Sequence, residues 1–342
     1  MNYKTPFIHN HELLKSLIPS MRYNGEIPFP QWQKSAREKL CSLVGIDRFS
    51  ECPDDFTIEY SREENDFFET RFRFQSEEGY YVPCHLLVPK NSAPPFDVML
   101  CLQGHGKGMH ISLGRKHWED EDISEALSGD RDLAVQAVSH GMAALVMEQR
   151  NFGECGGTPD GPDCYNSAMT ALLCGRTTIG ERVWDIMRLI DTALEHFPQL
   201  NKDSIYCTGN SGGGTATFYA ACIDERIAGA VPSCSVCTYS DSIGAMRHCA
   251  CNYIPDIANY FDMGDLGGLI APRILVVAAG RQDGIFPIEG VKESYEIIQK
   301  LYTFAGASDS CALVIGEGGH RYYAEKTWKE FTKLKGLKNK NG

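Results

Sequence analysis

Six short apolar runs, separated by segments with helical periodicity, constrain the fold of this 342-residue chain more than any other feature. Most of these runs are continuously apolar, as strands are when helices cover both faces of a parallel sheet. One intervening segment has a capping-box pattern at Thr178 and Glu181, followed by an apolar helical stripe. This alternation predicts an open, mostly parallel, doubly wound α/β sheet. The predicted strands are residues 97–102, 143–147, 204–208, 227–231, 273–279 and 311–315.

The beginning of the chain has a different pattern. Residues 1–55 are predicted to form an N-terminal helical extension, because Trp32, Ala36 and Leu40 recur on one helical face. The two prolines Pro28 and Pro30 are expected to precede that helix. Three segments that follow favour antiparallel strands before the parallel sheet. They are residues 56–60, 69–74 and 80–89.

Composition and charge exclude several classes of partner. The formal net charge is −12 at pH 7, and the isoelectric point is near 5.3. Such a balance argues against binding to nucleic acid or to an anionic membrane surface. No run approaches the ~20 apolar residues that span a bilayer, and the N-terminus lacks the apolar run of a signal peptide. We therefore expect a cytoplasmic protein whose 14 cysteines are reduced.

The sequence Gly209-Asn210-Ser211-Gly212-Gly213 matches the pattern G-x-S-x-G. It lies between the predicted strand at 204–208 and a helix start made of small residues. A serine on such a tight strand-to-helix turn is pushed out of the sheet edge, where its hydroxyl is able to attack a carbonyl carbon. Because glycine and serine are common, a plain glycine-rich turn is the alternative interpretation. The choice between a nucleophile turn and a plain glycine turn depends on whether the chain also supplies an acid and a base for Ser211.

Asp283 is the candidate acid. It follows the predicted strand at 273–279, where a carboxylate would orient a histidine and stabilise its imidazolium form. A turn-forming aspartate beside Gly284 is the alternative interpretation. Three rival aspartates lie in the loop-like segment before that strand: Asp256, Asp262 and Asp265.

His320 is the candidate base. The chain has 10 histidines, and any single histidine is usually not catalytic. His320 differs because it follows the last apolar run and lies on glycine-rich backbone. At that strand end it would take the proton of Ser211 and later donate it to a leaving group. Sites in doubly wound sheets lie at the carboxyl ends of the strands. The order Ser211, Asp283, His320 is also the chain order of one particular catalytic fold.

The loop Gln103-Gly104-His105-Gly106-Lys107-Gly108 follows the predicted strand at 97–102 and is a candidate oxyanion loop. We expect the backbone N–H of Gly212, the residue after the nucleophile, to donate to a developing oxyanion. The backbone N–H of Lys107 is the expected second donor. A simple glycine turn is the alternative here too.

Together these segments resemble the α/β-hydrolase superfamily from about residue 55 to residue 335, and they are most similar to the dienelactone hydrolase and acetyl xylan esterase groups of bacterial esterases. The run 148–154 also resembles that family's D-x-R-G-x-G-x-S loop in altered form. The resemblance implies an α/β-hydrolase catalytic domain at 56–336 that hydrolyses carboxylic esters, of short-acyl or acetylated-carbohydrate type, without a cofactor. The matching residues are Gly104-His105-Gly106, Gly209-Asn210-Ser211-Gly212-Gly213, Gly280-Arg281-Gln282-Asp283 and Gly319-His320.

The resemblance further implies a lid insertion near 234–271. We expect His105, Tyr239 and Phe261 to line the substrate pocket, and aromatic rings suit a sugar face or an apolar acyl chain equally well. For Phe261 taken alone, a core position is the alternative interpretation. A metal site is not expected, although four cysteines lie within about 20 residues and could supply soft ligands. They are Cys234, Cys237, Cys249 and Cys251.

The expected partner is a small-molecule ester, and the sequence leaves a homo-oligomer open. Two alternatives remain. One is a serine peptidase of the prolyl-oligopeptidase type, which shares the fold and triad but carries a large N-terminal propeller for which 1–55 is too short. The other is a non-catalytic binding protein on the hydrolase fold, against which the complete set of Ser211, Asp283 and His320 argues.

Overall fold

The computed structural model describes residues 3–119 and 122–341, and the described residues form one mixed sheet of nine strands. Each strand lies where the sequence predicts one, because alternating or continuous apolar patterns mark all nine. The strands are β1 Thr57–Glu63, β2 Phe67–Glu77, β3 Tyr80–Pro89, β4 Phe96–Leu102, β5 Ala143–Met147, β6 Leu200–Asn210, β7 Ile227–Ser233, β8 Ile274–Gly280 and β9 Cys311–Gly316.

The strand order is β1-β2-β3-β5-β4-β6-β7-β8-β9. The strands β1, β2 and β3 pair antiparallel, and β3 pairs antiparallel with β5. From β5 to β9 every neighbouring pair is parallel. The predicted doubly wound sheet with antiparallel N-terminal strands is therefore confirmed. Its parallel order places the carboxyl ends of β4, β6, β8 and β9 at one edge.

Helices cover both faces of the sheet. Alternate residues of one strand enter different cores: Leu100 of β4 belongs to one buried cluster, and its neighbours Met99 and Cys101 belong to the other. This period of two is the geometry of an extended strand that is buried on both sides. The helices are α1 Pro6–Ser16, α2 Phe29–Val44, α3 Ile123–Leu127, α4 Leu133–Ser139, α5 Tyr165–Leu173, α6 Thr178–His196, α7 Gly212–Ile223, α8 Met263–Gly267, α9 Ile288–Phe304 and α10 Ala324–Asn341.

The N-terminal helices differ in how they pack. Helix α1 has no buried residue, whereas α2 buries Trp32, Ala36 and Leu40 in the same core as the central strands. Pro28 precedes α2 as predicted, but Pro30 lies inside its first turn, a position where the missing N–H costs no helical hydrogen bond. None of the described helices is long and apolar enough to cross a bilayer.

Helix α6 begins one residue away from the predicted cap. Thr177, not Thr178, has the extended backbone of an N-cap, and its hydroxyl accepts a 3.0 Å hydrogen bond from the N–H of Gly180. The capping-box pattern assigned this role to Thr178, which instead lies inside the helix and is buried. Thr177 also donates to the carbonyl of Val44 at 3.0 Å. Tertiary contact with the end of α2 therefore decides which threonine caps the helix.

Replacing Leu40 with alanine tests whether α2 is part of the core. Leu40 is fully buried, so Leu40→Ala should lower the free energy of unfolding by about 2–5 kcal/mol through lost burial and a residual cavity. Urea denaturation followed by circular dichroism measures the change. Leu13→Ala, on the exposed side of α1, is the matched control, with an expected change within about 0.5 kcal/mol. Equal effects of the two variants would contradict the packing described for α2.

Candidate active site

Ser211 occupies the turn between β6 and α7 in a backbone conformation that non-glycine residues rarely adopt. Its φ is 56° and its ψ is −120°, which costs on the order of 1–3 kcal/mol and persists only where surrounding contacts enforce it. Its N–H donates to the carbonyl of Ser233 at 2.8 Å, and its own carbonyl accepts from the N–H of Thr215 at 2.8 Å. The turn presents the serine side chain at the strand ends, the placement typical of a nucleophile elbow.

The glycines around Ser211 are required by close backbone contacts. A Cβ atom on Gly209 would lie 2.4 Å from the carbonyl carbon of Gly213, and one on Gly213 would lie 2.0 Å from the carbonyl oxygen of Leu102. Both distances are far below van der Waals contact, so any larger residue would force β6 and α7 apart. The G-x-S-x-G pattern therefore reflects backbone packing at this turn.

Asp283 and His320 are hydrogen-bonded at the ends of β8 and β9. His320 Nδ1 lies 2.7 Å from Asp283 Oδ2. The other carboxylate oxygen, Oδ1, accepts from the N–H groups of Ile285 at 2.8 Å and Phe286 at 3.2 Å. These contacts fix the orientation of the carboxylate with respect to the imidazole ring.

The electrostatics of this pair set the histidine tautomer. Burial raises the pKa of Asp283, but the hydrogen bond and charge of His320 and the two backbone N–H donors outweigh burial and lower it overall. The carboxylate is therefore ionised at neutral pH and acts only as an acceptor. The shared hydrogen lies on Nδ1 of His320, so Nε2 of the neutral ring is left to accept a proton.

Ser211 and His320 line one narrow cavity of ≈ 40 Å³ at the strand ends. Because a cavity of about 10–15 Å³ already holds one water molecule, this space admits only a small group beside the serine. A wider surface pocket of ≈ 750 Å³, near Arg48 and Arg176, contains none of the candidate catalytic residues. The residues that line the narrow cavity are Gln103, Gly104, His105, Gly106, Ile111, Arg131, Leu133, Asn210, Ser211 and His320.

The buried carboxyl of Glu148 supports the loop that forms one wall of this cavity. Its Oε1 accepts from the side-chain amide of Gln103 at 2.7 Å and from the N–H of Met109 at 3.1 Å. Its Oε2 packs so closely on Gly108 and Gly153 that a Cβ atom on either would come within 2.7 Å and 2.1 Å of it, respectively. Glu148 is thus a positioning residue for the candidate oxyanion loop. In the sequence, the segment that contains Glu148 is distinguished only by its resemblance, in altered form, to the D-x-R-G-x-G-x-S loop.

Residues 5–311 match the model of the Abhydrolase family. The chain belongs to this family. A relative provisionally named hydrolase YtaP, from Bacillus subtilis (strain 168), is 26% identical over 241 residues, which are 70% of this chain and 77% of that protein.

Solved structures share the fold. The structure of a protein from Bacteroides fragilis NCTC 9343, provisionally described as an acetyl xylan esterase, aligns with a TM-score of 0.81 over 97% of this chain and 96% of that one, at 16% identity. A glucuronoyl esterase from Solibacter usitatus aligns with a TM-score of 0.67 over 93% of this chain and 96% of that one, at 14% identity. At these identities the likeness establishes the Abhydrolase architecture alone.

Among the remaining predicted site residues, the fold brings His105 and Gly212 close to the serine. His105 lines the narrow cavity, and a Cβ atom on Gly212 would lie 2.7 Å from its imidazole ring. Lys107 lies in the same loop but does not line the cavity, to which this loop contributes Gln103, Gly104, His105 and Gly106. The stretch 104–106 is therefore the part of the loop nearest to Ser211.

Tyr239 and Phe261 do not line the cavity at Ser211, and the prediction for both was wrong. Phe261 is fully buried in the main core. The hydroxyl of Tyr239 is hydrogen-bonded to that of the buried Tyr219, and its side chain borders a separate, mostly apolar pocket of ≈ 270 Å³ beside Leu14. The segment 234–271 thus buries Tyr239 and Phe261 while Tyr253 stays exposed, a division that its local sequence did not indicate.

The rival aspartates have structural roles. Asp262 accepts from the N–H groups of Tyr239 and Met263 at the start of α8, and Asp265 pairs with Arg22 at 2.8 Å. Asp256 lies next to Asn259 on the surface. These contacts leave Asp283 as the aspartate beside His320.

The four cysteines weighed as soft ligands are not gathered in one place. Cys234 packs near Asp283 and donates to the carbonyl of Arg321, and Cys237 lies beside the carbonyl of Pro287. Cys249 and Cys251 instead meet His105 and Cys164, which come from distant parts of the chain. Sequence spacing indicated Cys249 and Cys251 as possible ligands but carried no signal for their grouping with His105 and Cys164.

The buried carboxyl of Glu148 predicts a pH effect on stability. Burial raises the pKa of Glu148 from 4.5 to about 8, although hydrogen bonds from the backbone N–H groups of Met109 and Glu154 act to lower it. Between about pH 5 and about pH 8 the folded state therefore holds a proton that the unfolded chain releases, so this group makes stability fall as pH rises. Glu148→Gln removes the titration and should flatten that part of the stability curve. Urea unfolding at a series of pH values measures it.

The control for this experiment is Glu51→Gln, because Glu51 is exposed in the folded protein. Its stability curve should keep the slope of the unmodified chain. An unchanged slope in Glu148→Gln would contradict the assignment of a protonated carboxyl beneath the loop.

Proposed function

We propose that this protein is a serine hydrolase that cleaves carboxylic esters through Ser211, His320 and Asp283. The observation that carries the proposal is the Asp283–His320 hydrogen bond of 2.7 Å, with its histidine on the cavity that Ser211 also lines. Three strand ends supply the three roles of a nucleophile, a base and an orienting carboxylate. Membership of the Abhydrolase family and the esterases among the structural relatives support the same reaction class.

The reaction proceeds by two acyl transfers. The Oγ atom of Ser211 attacks the ester carbonyl carbon while Nε2 of His320 takes the hydroxyl proton. The imidazolium then returns that proton to the alcohol oxygen as the C–O bond breaks, which leaves an acyl-serine. Water attacks this intermediate with His320 again as base, and the imidazolium then returns the proton to Oγ of Ser211 as the acyl C–O bond breaks and the acid departs. Asp283 stabilises the imidazolium in both steps.

Backbone N–H groups stabilise the negative charge that develops on the carbonyl oxygen in the tetrahedral intermediate. The N–H of Gly212 lies in the first turn of α7, where unpaired donors and the positive end of the helix dipole favour an anion. The proposed second donor is the backbone N–H of Lys107 in the loop that follows β4. Glu148 accepts from the N–H of Met109 at 3.1 Å and so anchors the far end of this loop.

The substrates we propose are esters with a short acyl group, including acetylated carbohydrates. The space beside Ser211 is only ≈ 40 Å³, which suits an acetyl group better than a long chain. Relatives of the same architecture are described as an acetyl xylan esterase and a glucuronoyl esterase. The segment 234–271 forms a cap on one side of the site, since its Cys251 lies 3.1 Å from His105.

Replacing the nucleophile tests the reaction class. Ser211→Ala should lower kcat/KM for p-nitrophenyl acetate by about 10³-fold or more, because no other group supplies the attacking oxygen. Ser139→Ala, which alters an exposed serine bonded to its own helix, is the control and should keep full activity. A fluorophosphonate probe should label the unmodified chain at Ser211 and fail to label Ser211→Ala. Retained turnover in Ser211→Ala, with normal folding, would refute the proposal.

A panel of p-nitrophenyl esters from acetate to octanoate tests the acyl preference. We expect kcat/KM to fall steadily with chain length, because longer acyl groups exceed the space beside Ser211. A parallel panel of proline-containing peptide substrates addresses the peptidase alternative and should give no turnover. A maximum at octanoate would contradict the short-acyl assignment, and cleavage of the peptides would favour the alternative.

A further inference from the structure

Three cysteines and one histidine meet beside the candidate active site. The Nε2 atom of His105 lies 3.1 Å from the Sγ atom of Cys251, and the sulfur atoms of Cys249 and Cys251 are also 3.1 Å apart. Together with the sulfur of Cys164, these four ligand atoms all lie within 4.8 Å of one another. Cys164 and Cys251 are buried, and none of the four is exposed.

The distances between these ligand atoms are compatible with tetrahedral coordination of a single metal ion. With Zn–S bonds of about 2.3 Å and Zn–N bonds of about 2.0–2.1 Å, the ligand atoms of a tetrahedral zinc site lie roughly 3.6–3.8 Å apart. The observed separations, from 3.1 Å to at most 4.8 Å, bracket that range. An S₃N set of this kind is characteristic of structural zinc and differs from the oxygen-rich sets preferred by magnesium or calcium.

Arg182 provides an independent argument from charge. Its side chain is buried in α6, and its guanidinium nitrogens lie 3.7 Å from the sulfur of Cys251 and 3.8 Å from the sulfur of Cys164. Its other contacts are the carbonyl of Arg150 and the ring of Phe152. Within residues 3–119 and 122–341, no carboxylate pairs with this guanidinium. A buried cation without a counter-charge is costly.

The charges balance when a divalent ion occupies the cluster. Three thiolates, one neutral imidazole and one Zn²⁺ carry one net negative charge, which the guanidinium of Arg182 neutralises. Three neutral thiols would leave Arg182 unpaired, and three thiolates without an ion would repel one another at these distances. A single thiolate would also balance Arg182, so the four-ligand geometry, and not charge alone, carries the metal assignment. We therefore propose that His105, Cys164, Cys249 and Cys251 bind one zinc ion, with Arg182 as the neutralising cation.

The proposed ion fills its shell with protein ligands, so it has no open position for water or substrate and acts as a structural clamp. It would join three segments that are far apart in the chain: the loop after β4, the start of α5 and the turn at Ala250–Asn252. His105 also packs against Gly212. The clamp would therefore hold the loop 104–107 and the 234–271 segment around Ser211.

Metal analysis of the purified full-length protein tests the proposal directly. The chain, produced and purified under reducing conditions, should contain about one zinc ion per molecule by inductively coupled plasma mass spectrometry. Cys251→Ser should lose at least about four-fifths of this zinc, because it removes one of four ligands. Cys174→Ser, which alters an exposed cysteine outside the cluster, should retain it. Ser211→Ala should also retain it, which separates this test from that of the esterase proposal.

The reactivity of the cysteine thiols in the unmodified protein provides a second test, which remains valid if Cys251→Ser fails to fold. In the native state, iodoacetamide should modify Cys174 while Cys164, Cys249 and Cys251 resist, as read by peptide mass spectrometry. Removal of zinc with a chelator should make these three cysteines reactive, and added Zn²⁺ should restore their protection.

Several outcomes would overturn the zinc assignment. They are a protein that lacks stoichiometric zinc, a stoichiometric ion other than zinc, full zinc content in a folded Cys251→Ser variant, and a disulfide within the cluster detected by mass. Chelation that leaves the protection of the three thiols unchanged would overturn it as well.

Discussion

The turn at Ser211 exists because two glycines let α7 start against the end of β4. With no side chains on Gly209 and Gly213, the helix packs on the carbonyl of Leu102 at a distance that any Cβ would block. The same approach brings the loop after β4 to the serine: a Cβ on Gly104 would lie 2.7 Å from the carbonyl oxygen of Asn210 and 3.0 Å from the Cβ of Ser211. The nucleophile turn and the candidate oxyanion loop are thus fixed by one backbone contact.

A network of buried polar and charged groups connects this contact to the rest of the sheet. Arg150 follows β5 and joins Asp185 of α6 at 2.8 Å and Glu77 of β2 at 2.7 Å, while Glu148, two residues earlier, holds the oxyanion loop. Such buried pairs add little net stability, but removing one partner leaves an uncompensated charge, so they favour a single arrangement. The segment 148–154 therefore connects the antiparallel strands to the loop beside Ser211.

The sequence predicted the strands and the three triad candidates because the relevant signals are local. Asp283 and His320 each follow an apolar run, and a parallel sheet must bring such strand ends together. Tyr239 and Phe261 could not be placed in this way, because the path of 234–271 is set by tertiary packing and leaves no periodic pattern. The cap of α6 shifted from Thr178 to Thr177 for a related reason, the contact with Val44. The grouping of His105 with Cys251, which lie 146 positions apart, is likewise invisible until the chain folds.

His105 and His320 both line the cavity at Ser211, and their surroundings assign them different chemistry. His320 is oriented by Asp283 through Nδ1, which leaves Nε2 to accept a proton. His105 directs its Nε2 to the sulfur of Cys251 instead, and in the proposed zinc site that lone pair is bound to the ion. An imidazole held in this way cannot act as a general base, because the ion occupies the position that a proton would take. The cysteine cluster would therefore leave His320 as the one base of the pair while fixing His105 against Gly212.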